Sequence, residues 1–295
     1  MNKLSNIDLS RFSGYRCGGN ARHFIEVETK EELACTVDEL EESKSEWHII
    51  GKGFNTLISD SGFNGTVLML SGNFCNVYRR FQENMVVSGP AVTLPKLLRF
   101  IVEQQFTGLE FLGGVPGSVG GAVLGNCGTA TDAIGDYIKE IEVYCPEEQS
   151  YTRIKKEDIG FKYRGTELPE RNILTEAVFD LKTGIKTDII EKIRQNIVLK
   201  RATQPVREKS CGCVFKNPDN GKTSAGRLIE MAGFKGIEEG GARISDSHAN
   251  YIINSGGATS ADIWNLIKKV RISVREKFGV DMKLEIRLLG EGFDE

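Results

Sequence analysis

Thr107-Gly-Leu-Glu-Phe-Leu-Gly-Gly-Val-Pro-Gly-Ser-Val-Gly-Gly-Ala-Val-Leu-Gly-Asn-Cys-Gly128 is the stretch around which this chain is organised. It holds eight of the 33 glycines: Gly108, Gly113, Gly114, Gly117, Gly120, Gly121, Gly125 and Gly128. Glycine in an ordered segment costs backbone entropy, so this density has a physical cause. Two causes stand open. Either the backbone approaches an anionic ligand through its N–H groups, as a nest does, or the chain makes a tight crossing with no ligand. Ser118 and Ala122 keep the segment small, and Pro116 stiffens its turn. It is too apolar for a flexible linker. It reads as a buried, ordered loop.

The chain has 295 residues, 40% hydrophobic and 27% charged, which is ordinary globular composition. At about 150 residues per domain, two domains are expected. Lys+Arg number 38 against Asp+Glu 41, for a net charge of −3. A nucleic-acid partner would leave a clustered basic footprint, so none is expected. No run approaches the roughly 18 apolar residues of a membrane span. The first ten residues lack the apolar region of a secretory leader. The cysteines at 17, 35, 75, 127, 145, 211 and 213 are odd in number and scattered. No Cys-x-x-Cys occurs, and His23, His48 and His248 lie far from them. No metal site is expected, and the cysteines fit reduced thiols in a cytoplasm.

Working outward, Trp47-His-Ile-Ile50 reads as a buried strand running into Gly51-Lys-Gly-Phe-Asn-Thr56, a second glycine turn suited to phosphate. It satisfies neither the Walker nor the Gly-x-Gly-x-x-Gly pattern. Residues 24–27, 65–70, 85–88, 138–144 and 173–181 read as strands, the fourth half-buried by its alternation. Thr29-Lys-Glu-Glu32 is a capping box ahead of Leu33, Val37 and Leu40. Thr93 caps a helix bearing Leu94, Leu97, Leu98 and Ile101, with Pro95 tolerated in its first turn. After Gly184 the character changes. Thr187 caps a helix with Ile190, Ile193 and Ile197 on one face. Cys211 to Pro218 reads as a short strand, on which Cys211 shares the Cys213 face about 7 Å away. A helix follows over 225–232, a strand over 249–254, and a long helix capped by Thr259 or Ser260 with Gly279 at its end. Residues 283–289 form a last strand.

These pieces resemble the UDP-N-acetylenolpyruvoylglucosamine reductase family over roughly residues 12 to 291. The matching blocks are Gly51-Lys-Gly-Phe-Asn-Thr-Leu57, Gly113-Gly-Val-Pro-Gly-Ser-Val-Gly-Gly-Ala-Val123, Phe161-Lys-Tyr-Arg164, Gly212-Cys-Val-Phe-Lys-Asn-Pro218, Ser247-His-Ala-Asn-Tyr-Ile-Ile-Asn254 and Leu284-Glu-Ile-Arg-Leu-Leu-Gly290. The first two belong to a wider FAD-binding fold, and the others are specific to the reductase. Only 36 residues separate Arg164 from Arg201. That resembles the shorter subclass, which lacks a tyrosine-bearing loop over the substrate.

The resemblance implies an α+β chain. A two-lobed FAD-binding domain of the vanillyl-alcohol-oxidase/PCMH type would span 1–184, its lobes splitting near 71. A smaller α+β substrate-binding domain would span 185–295, with the strand at about 283–290 returning to the active site. It implies non-covalent FAD, NADPH as co-substrate and a UDP-sugar as substrate, with no obligate protein partner evident. The reaction would be ping-pong: hydride passes through flavin N5 to the vinyl carbon of enolpyruvyl-UDP-N-acetylglucosamine, and the enolate is then protonated. This completes UDP-N-acetylmuramate, a peptidoglycan precursor.

Carried over residue by residue, the cofactor positions are Gly51, Gly53, Asn55, Thr56, Gly114, Pro116, Gly117, Ser118, Gly120, Gly121, Asn126 and Gly128. Arg164 matches the catalytic arginine, whose planar fork suits a carboxylate gaining enolate charge. Glu285 matches the second catalytic group. Cys213 stands where many members carry a serine proton donor; a thiol is the stronger acid and remains competent. Tyr163, Arg201, Lys216 and Asn217 match substrate positions. Phe54 replaces a usual small serine, which leaves the backbone N–H groups of that turn available. His248 reads as structural, holding 247–254. Two other readings stay open: an FAD oxidoreductase of the same fold that oxidises a small alcohol or hydroxy acid, and a paralogue that binds flavin or nucleotide sugar without turnover. Residues 51–60 contain no His or Cys to tether a flavin.

Overall fold

A computed structural model describes residues 2–80 and 85–294. They form two compact units that interleave along the chain. One has Ile25–Gly51 and Leu68–Leu199 together with the chain's start; the other has Leu4–Phe24, Lys52–Val67 and the chain from Lys200 on. Strands Asn20–Val27 and Phe63–Leu70 each contribute residues to both.

The first unit is built on an antiparallel sheet ordered Ser150–Lys155, Ile138–Cys145, Ile173–Phe179, Met85–Ser88, Val77–Arg80. Helix Leu94–Glu103 starts at Thr93, whose hydroxyl accepts the Lys96 N–H, and buries Leu94, Leu97, Leu98 and Ile101. These join Phe106, Leu112, Val119, Val123, Ile141 and Phe179 in one core. Burying each such side chain contributes about 1.5–3 kcal/mol. Strand Ile138–Cys145 departs from the expected half-burial, because it is paired on both edges and its second half is covered on both faces. Glu142 is buried there and is matched by Lys30, Arg153 and Thr175.

Helix Lys30–Glu42 begins at Thr29 as expected, with the Thr29 hydroxyl accepting the Glu32 N–H at 3.2 Å. The return arm differs: the Glu32 carboxylate accepts the Glu28 N–H at 2.9 Å, one residue earlier than a capping box requires. Helix Lys186–Thr203 also departs from its expectation. It starts before Thr187, whose hydroxyl donates to Asp188. Its buried residue is Ile189, while Ile190 is 46% exposed. Ile193 packs against the core and Ile197 is half-buried as expected, so only Ile190 falls off the face, in a run where β-branched and charged residues alternate too densely to mark the period.

The second unit packs helix Ser260–Phe278 against the antiparallel strands Glu238–Glu239, Ala242–Ile244 and Ile252–Asn254. Thr259 and Asp262 form a reciprocal capping box at 3.1 and 2.9 Å. Asp60 accepts the next two N–H groups, Ser260 and Ala261. Ile263, Ile267, Val270 and Val274 face the core, and the helix ends on Gly279. The last strand is shorter than expected, Arg287–Leu289, and runs parallel to Thr56–Ile58. No helix among the described residues is long and apolar enough to cross a membrane.

Candidate active site

The glycine-rich segment of the first unit is not a loop throughout. A turn at Glu110–Leu112 leads to a short helix, Val119–Leu124, capped by the buried Ser118. The tight-crossing cause operates at some of the glycines and not at others. Gly120 and Gly128 belong to tight crossings: a Cβ on Gly120 would lie 2.9 Å from Pro90, and one on Gly128 would lie 2.3 Å from the Asp132 carbonyl. The N–H groups of Val119 and Gly120 are already bonded to Val92 and Pro90. Gly117 is different. It sits at φ 118°, where L side chains are strained, yet a Cβ there would meet nothing within 4 Å. Gly114, Pro116 and Gly121 are exposed beside it. Gly51 is also exposed, and its missing Cβ would lie 3.0 Å from Ser118 Oγ. Gly51 and Gly114 thus expose backbone on either side of the buried Ser118, and Gly117 leaves open space where a side chain would be. That fits a flat or anionic cofactor approached along the main chain.

Asn126 closes this segment. Its Oδ1 accepts the Gly135 N–H and its Nδ2 donates to the Lys162 carbonyl, both at 3.0 Å. Lys162 opens a turn that closes on Gly165 through reciprocal backbone bonds of 3.0 and 3.2 Å. Tyr163 and Arg164 are its tip. Arg164 sits at φ 53°, and its guanidinium carbon lies 5.4 Å from the Tyr163 ring centroid. A non-glycine residue held left-handed costs about 1–3 kcal/mol and persists only where its surroundings fix it. The local fold therefore fixes the backbone from which the Arg164 side chain leaves.

In the second unit, Gly53, Asn55 and Thr56 meet the segment that carries Cys213. The Gly53 carbonyl accepts the Gly14 N–H. The Asn55 amide donates to the Glu285 carbonyl at 3.1 Å, and the Asn55 carbonyl accepts from Arg287 N. Glu285 and Ile286 both donate backbone N–H to Val214 O, at 2.8 and 3.4 Å. Two donors on one acceptor mark a bulge, a device that re-aims a side chain. Glu285 and Cys213 are both half-buried here.

The expected strand over 211–218 is absent. Only Phe215 makes a bridge, to Leu284, and Gly212 at φ 81° breaks the alternation that put Cys211 and Cys213 on one face. Cys211 is instead fully buried, with its thiol 3.3 Å from Gly53 O and 3.4 Å from Thr56 O. Burial pushes that thiol up to about 12. Cys211 is therefore a packing and anchoring residue, and it does not share a strand face with Cys213.

Sequence reasoning also missed Asn250. Its carboxamide is 2% exposed, and it accepts the Phe215 N–H at 2.9 Å and donates to the Phe215 carbonyl at 2.8 Å. It takes the place of a neighbouring strand. The signal was present in the block Ser247 to Asn254 but not in any periodicity. His248 holds that block as expected: its Nδ1 accepts the Asn250 N–H, its ring packs edge-on to Tyr251, and burial lowers its pKa so that it stays neutral. Of the expected substrate residues, Asn217 accepts the Ala225 N–H at the start of helix Ala225–Met231, Lys216 is half-buried, and Arg201 is exposed near the end of its helix.

The comparisons with known proteins decide the family. A model described as UDP-N-acetylenolpyruvoylglucosamine reductase, C-terminal domain, matches residues 204–289, and a model described as FAD binding domain matches residues 21–150. The reductase of Halalkalibacterium halodurans is 36% identical, covering 97% of this chain and 94% of that one. This chain belongs to the UDP-N-acetylenolpyruvoylglucosamine reductase family. The member from Wolbachia pipientis of Culex pipiens is 35% identical over 97% of this chain and 95% of its own. The crystal structure of the Thermus caldophilus reductase matches at a TM-score of 0.82 with 31% identity, covering 98% of both chains. The α+β, FAD-binding fold class expected from the sequence holds.

Proposed function

We propose that this chain reduces UDP-N-acetyl-3-O-(1-carboxyvinyl)-glucosamine to UDP-N-acetylmuramate, with FAD bound non-covalently and NADPH as reductant. What supports the reading most is the Arg164 turn: a strained, doubly closed tip that carries the arginine the reductase chemistry would use against its developing negative charge. Gly51, Gly114, Pro116, Gly117 and Ser118 hold the cofactor along the main chain, and Gly53, Asn55 and Thr56 belong to the same turn as Gly51. Bound there, FAD supplies the hydride, taken from NADPH and passed to the vinyl carbon.

The residues do the rest. Arg164 offers two N–H donors to the substrate carboxylate as it takes up enolate charge, a role worth about 10²–10³ in rate. Cys213 delivers a proton to the adjacent carbon, so hydride and proton together remove the carbon–carbon double bond. Glu285 stabilises the enolate by sharing a proton with it. Tyr163, Arg201, Lys216 and Asn217 bind the UDP-sugar. The reaction is assigned to the cytoplasm, which the scattered cysteines suit.

The purified protein should be yellow and should release FAD on denaturation. Under anaerobic conditions NADPH should bleach it, and the enolpyruvyl substrate should restore the colour with UDP-N-acetylmuramate formed. A flavin that NADPH reduces but this substrate does not reoxidise would instead favour an oxidoreductase acting on an alcohol or hydroxy acid.

A further inference from the structure

The sequence places Asn126 among residues that meet the cofactor, but its side chain is engaged with protein. The amide is buried, 9% exposed, and both ends are used. The Gly135 N–H can only donate and the Lys162 carbonyl can only accept, so the chemistry of the partners fixes which end is which. A second observation ties the same two segments together. A Cβ on Gly135 would lie 2.7 Å from the Phe161 ring and 2.9 Å from Asn126 Oδ1. Gly135 thus provides the surface on which Phe161 rests, and Asn126 secures the residue after it. From Lys162 the chain turns at once through Tyr163 and Arg164 and returns at Gly165.

We propose that Asn126 is a positioning residue for Arg164. It fixes the base of the Lys162–Gly165 turn against Gly135, so that the guanidinium is set before substrate arrives. A turn with a left-handed arginine at its tip has an easier relaxed form, and a hydrogen bond at its base opposes that relaxation. The inference rests on the reading of Arg164 as the group that meets the developing charge. It assigns Asn126 to the half-reaction with the enolpyruvyl substrate and removes it from FAD binding.

The test uses the FAD-loaded enzyme and three variants: Asn126→Asp, Asn126→Ala and Gly135→Ala. The aspartate is nearly isosteric, keeps the acceptor for Gly135 and loses the donor to Lys162, so it reports even where the alanine folds poorly. Three quantities are read: FAD Kd by flavin fluorescence, the rate of flavin reduction by NADPH, and the rate of reoxidation by substrate. Asn126→Asp should leave the first two within about twofold and slow the third by about 10- to 100-fold, the usual result of misplacing a reacting group by an ångström. Gly135→Ala should follow it. In an Arg164→Lys background the same change should cost less than about threefold further, because both act through one group. Equal losses in both backgrounds overturn the proposal, as does a raised FAD Kd with reoxidation of the loaded enzyme unchanged. If Arg164→Lys alone leaves reoxidation unchanged, the reading of Arg164 fails and the proposal falls with it.

Discussion

Asn126 and Asn250 each use both ends of a buried carboxamide on backbone, one in each unit, and each bonds a residue two positions from a proposed catalytic one. Asn126 bonds two places distant from each other in sequence, Gly135 and Lys162. Asn250 grips one residue twice, the N–H and the carbonyl of Phe215. The first arrangement fixes the base of an otherwise self-closed turn. The second replaces a strand along a segment that pairs on its other side only with 283–286. Losing Asn126 would leave the Lys162 carbonyl bonded to Gly165 but strip the buried Gly135 N–H of its acceptor. Losing Asn250 would leave two polar groups of a buried residue without partners, and that cost falls on the fold. Similar chemistry thus satisfies buried backbone in both units, and the proposal adds aim to stability only at Asn126.

The largest expected effect lies at the tip of the first arrangement. Arg164→Lys should slow substrate-driven reoxidation by about 10²–10³-fold while flavin reduction by NADPH stays near wild type, since a single ammonium cannot reproduce the planar fork. Stopped-flow traces of the two half-reactions separate these outcomes. Equal loss in both would make Arg164 a structural residue and dissolve the contrast. Next comes Asn250→Leu. Two buried groups losing partners cost about 1–3 kcal/mol each, so thermal unfolding should shift down by several degrees. An unchanged melting temperature would mean that Phe215 finds other partners and that Asn250 is not the missing strand.

The smallest effect sharpens the contrast within the second unit. Iodoacetamide should modify Cys213 and leave Cys211 untouched in the folded protein, because burial keeps the Cys211 thiol protonated up to about pH 12. The folded state then holds a proton that the unfolded chain releases above an ordinary thiol value near 9.0. Stability from Cys211 is therefore fully present below about pH 9 and is lost as pH rises towards 12. Denaturant titrations of wild type and Cys211→Ser across that range should diverge in this direction, with wild type falling the more steeply.

Much of this fold was legible because local chemistry decided it. Thr93 and Thr259 cap their helices where the hydroxyl and period said, and Ile263, Ile267, Val270 and Val274 face inward. The motif residues Arg164, Cys213 and Glu285 were legible only through family blocks, since no periodicity marks them. The partners of the two supporting asparagines were not legible at all. Asn126 finds Lys162 36 positions away and Asn250 finds Phe215 35 positions away, and no window of ten or fifteen residues contains both partners. The strand expected at 211–218 failed for a related reason. Its apolar residues read as a strand, but Gly212 turns left-handed there, and a side chain rather than a strand satisfies the segment.

The central claim is that one segment manages charge and the other supplies the proton. The most direct test is a single turnover of NADPH-reduced Cys213→Ala with enolpyruvyl substrate, following product formation against wild type. The account predicts that product appears at least about 10²-fold more slowly, and that Cys213→Ser restores most of the rate, because a positioned acid contributes that much to protonation. Equal rates for Cys213→Ala and wild type would contradict it, and would give the proton to Glu285 or water with Cys213 as packing.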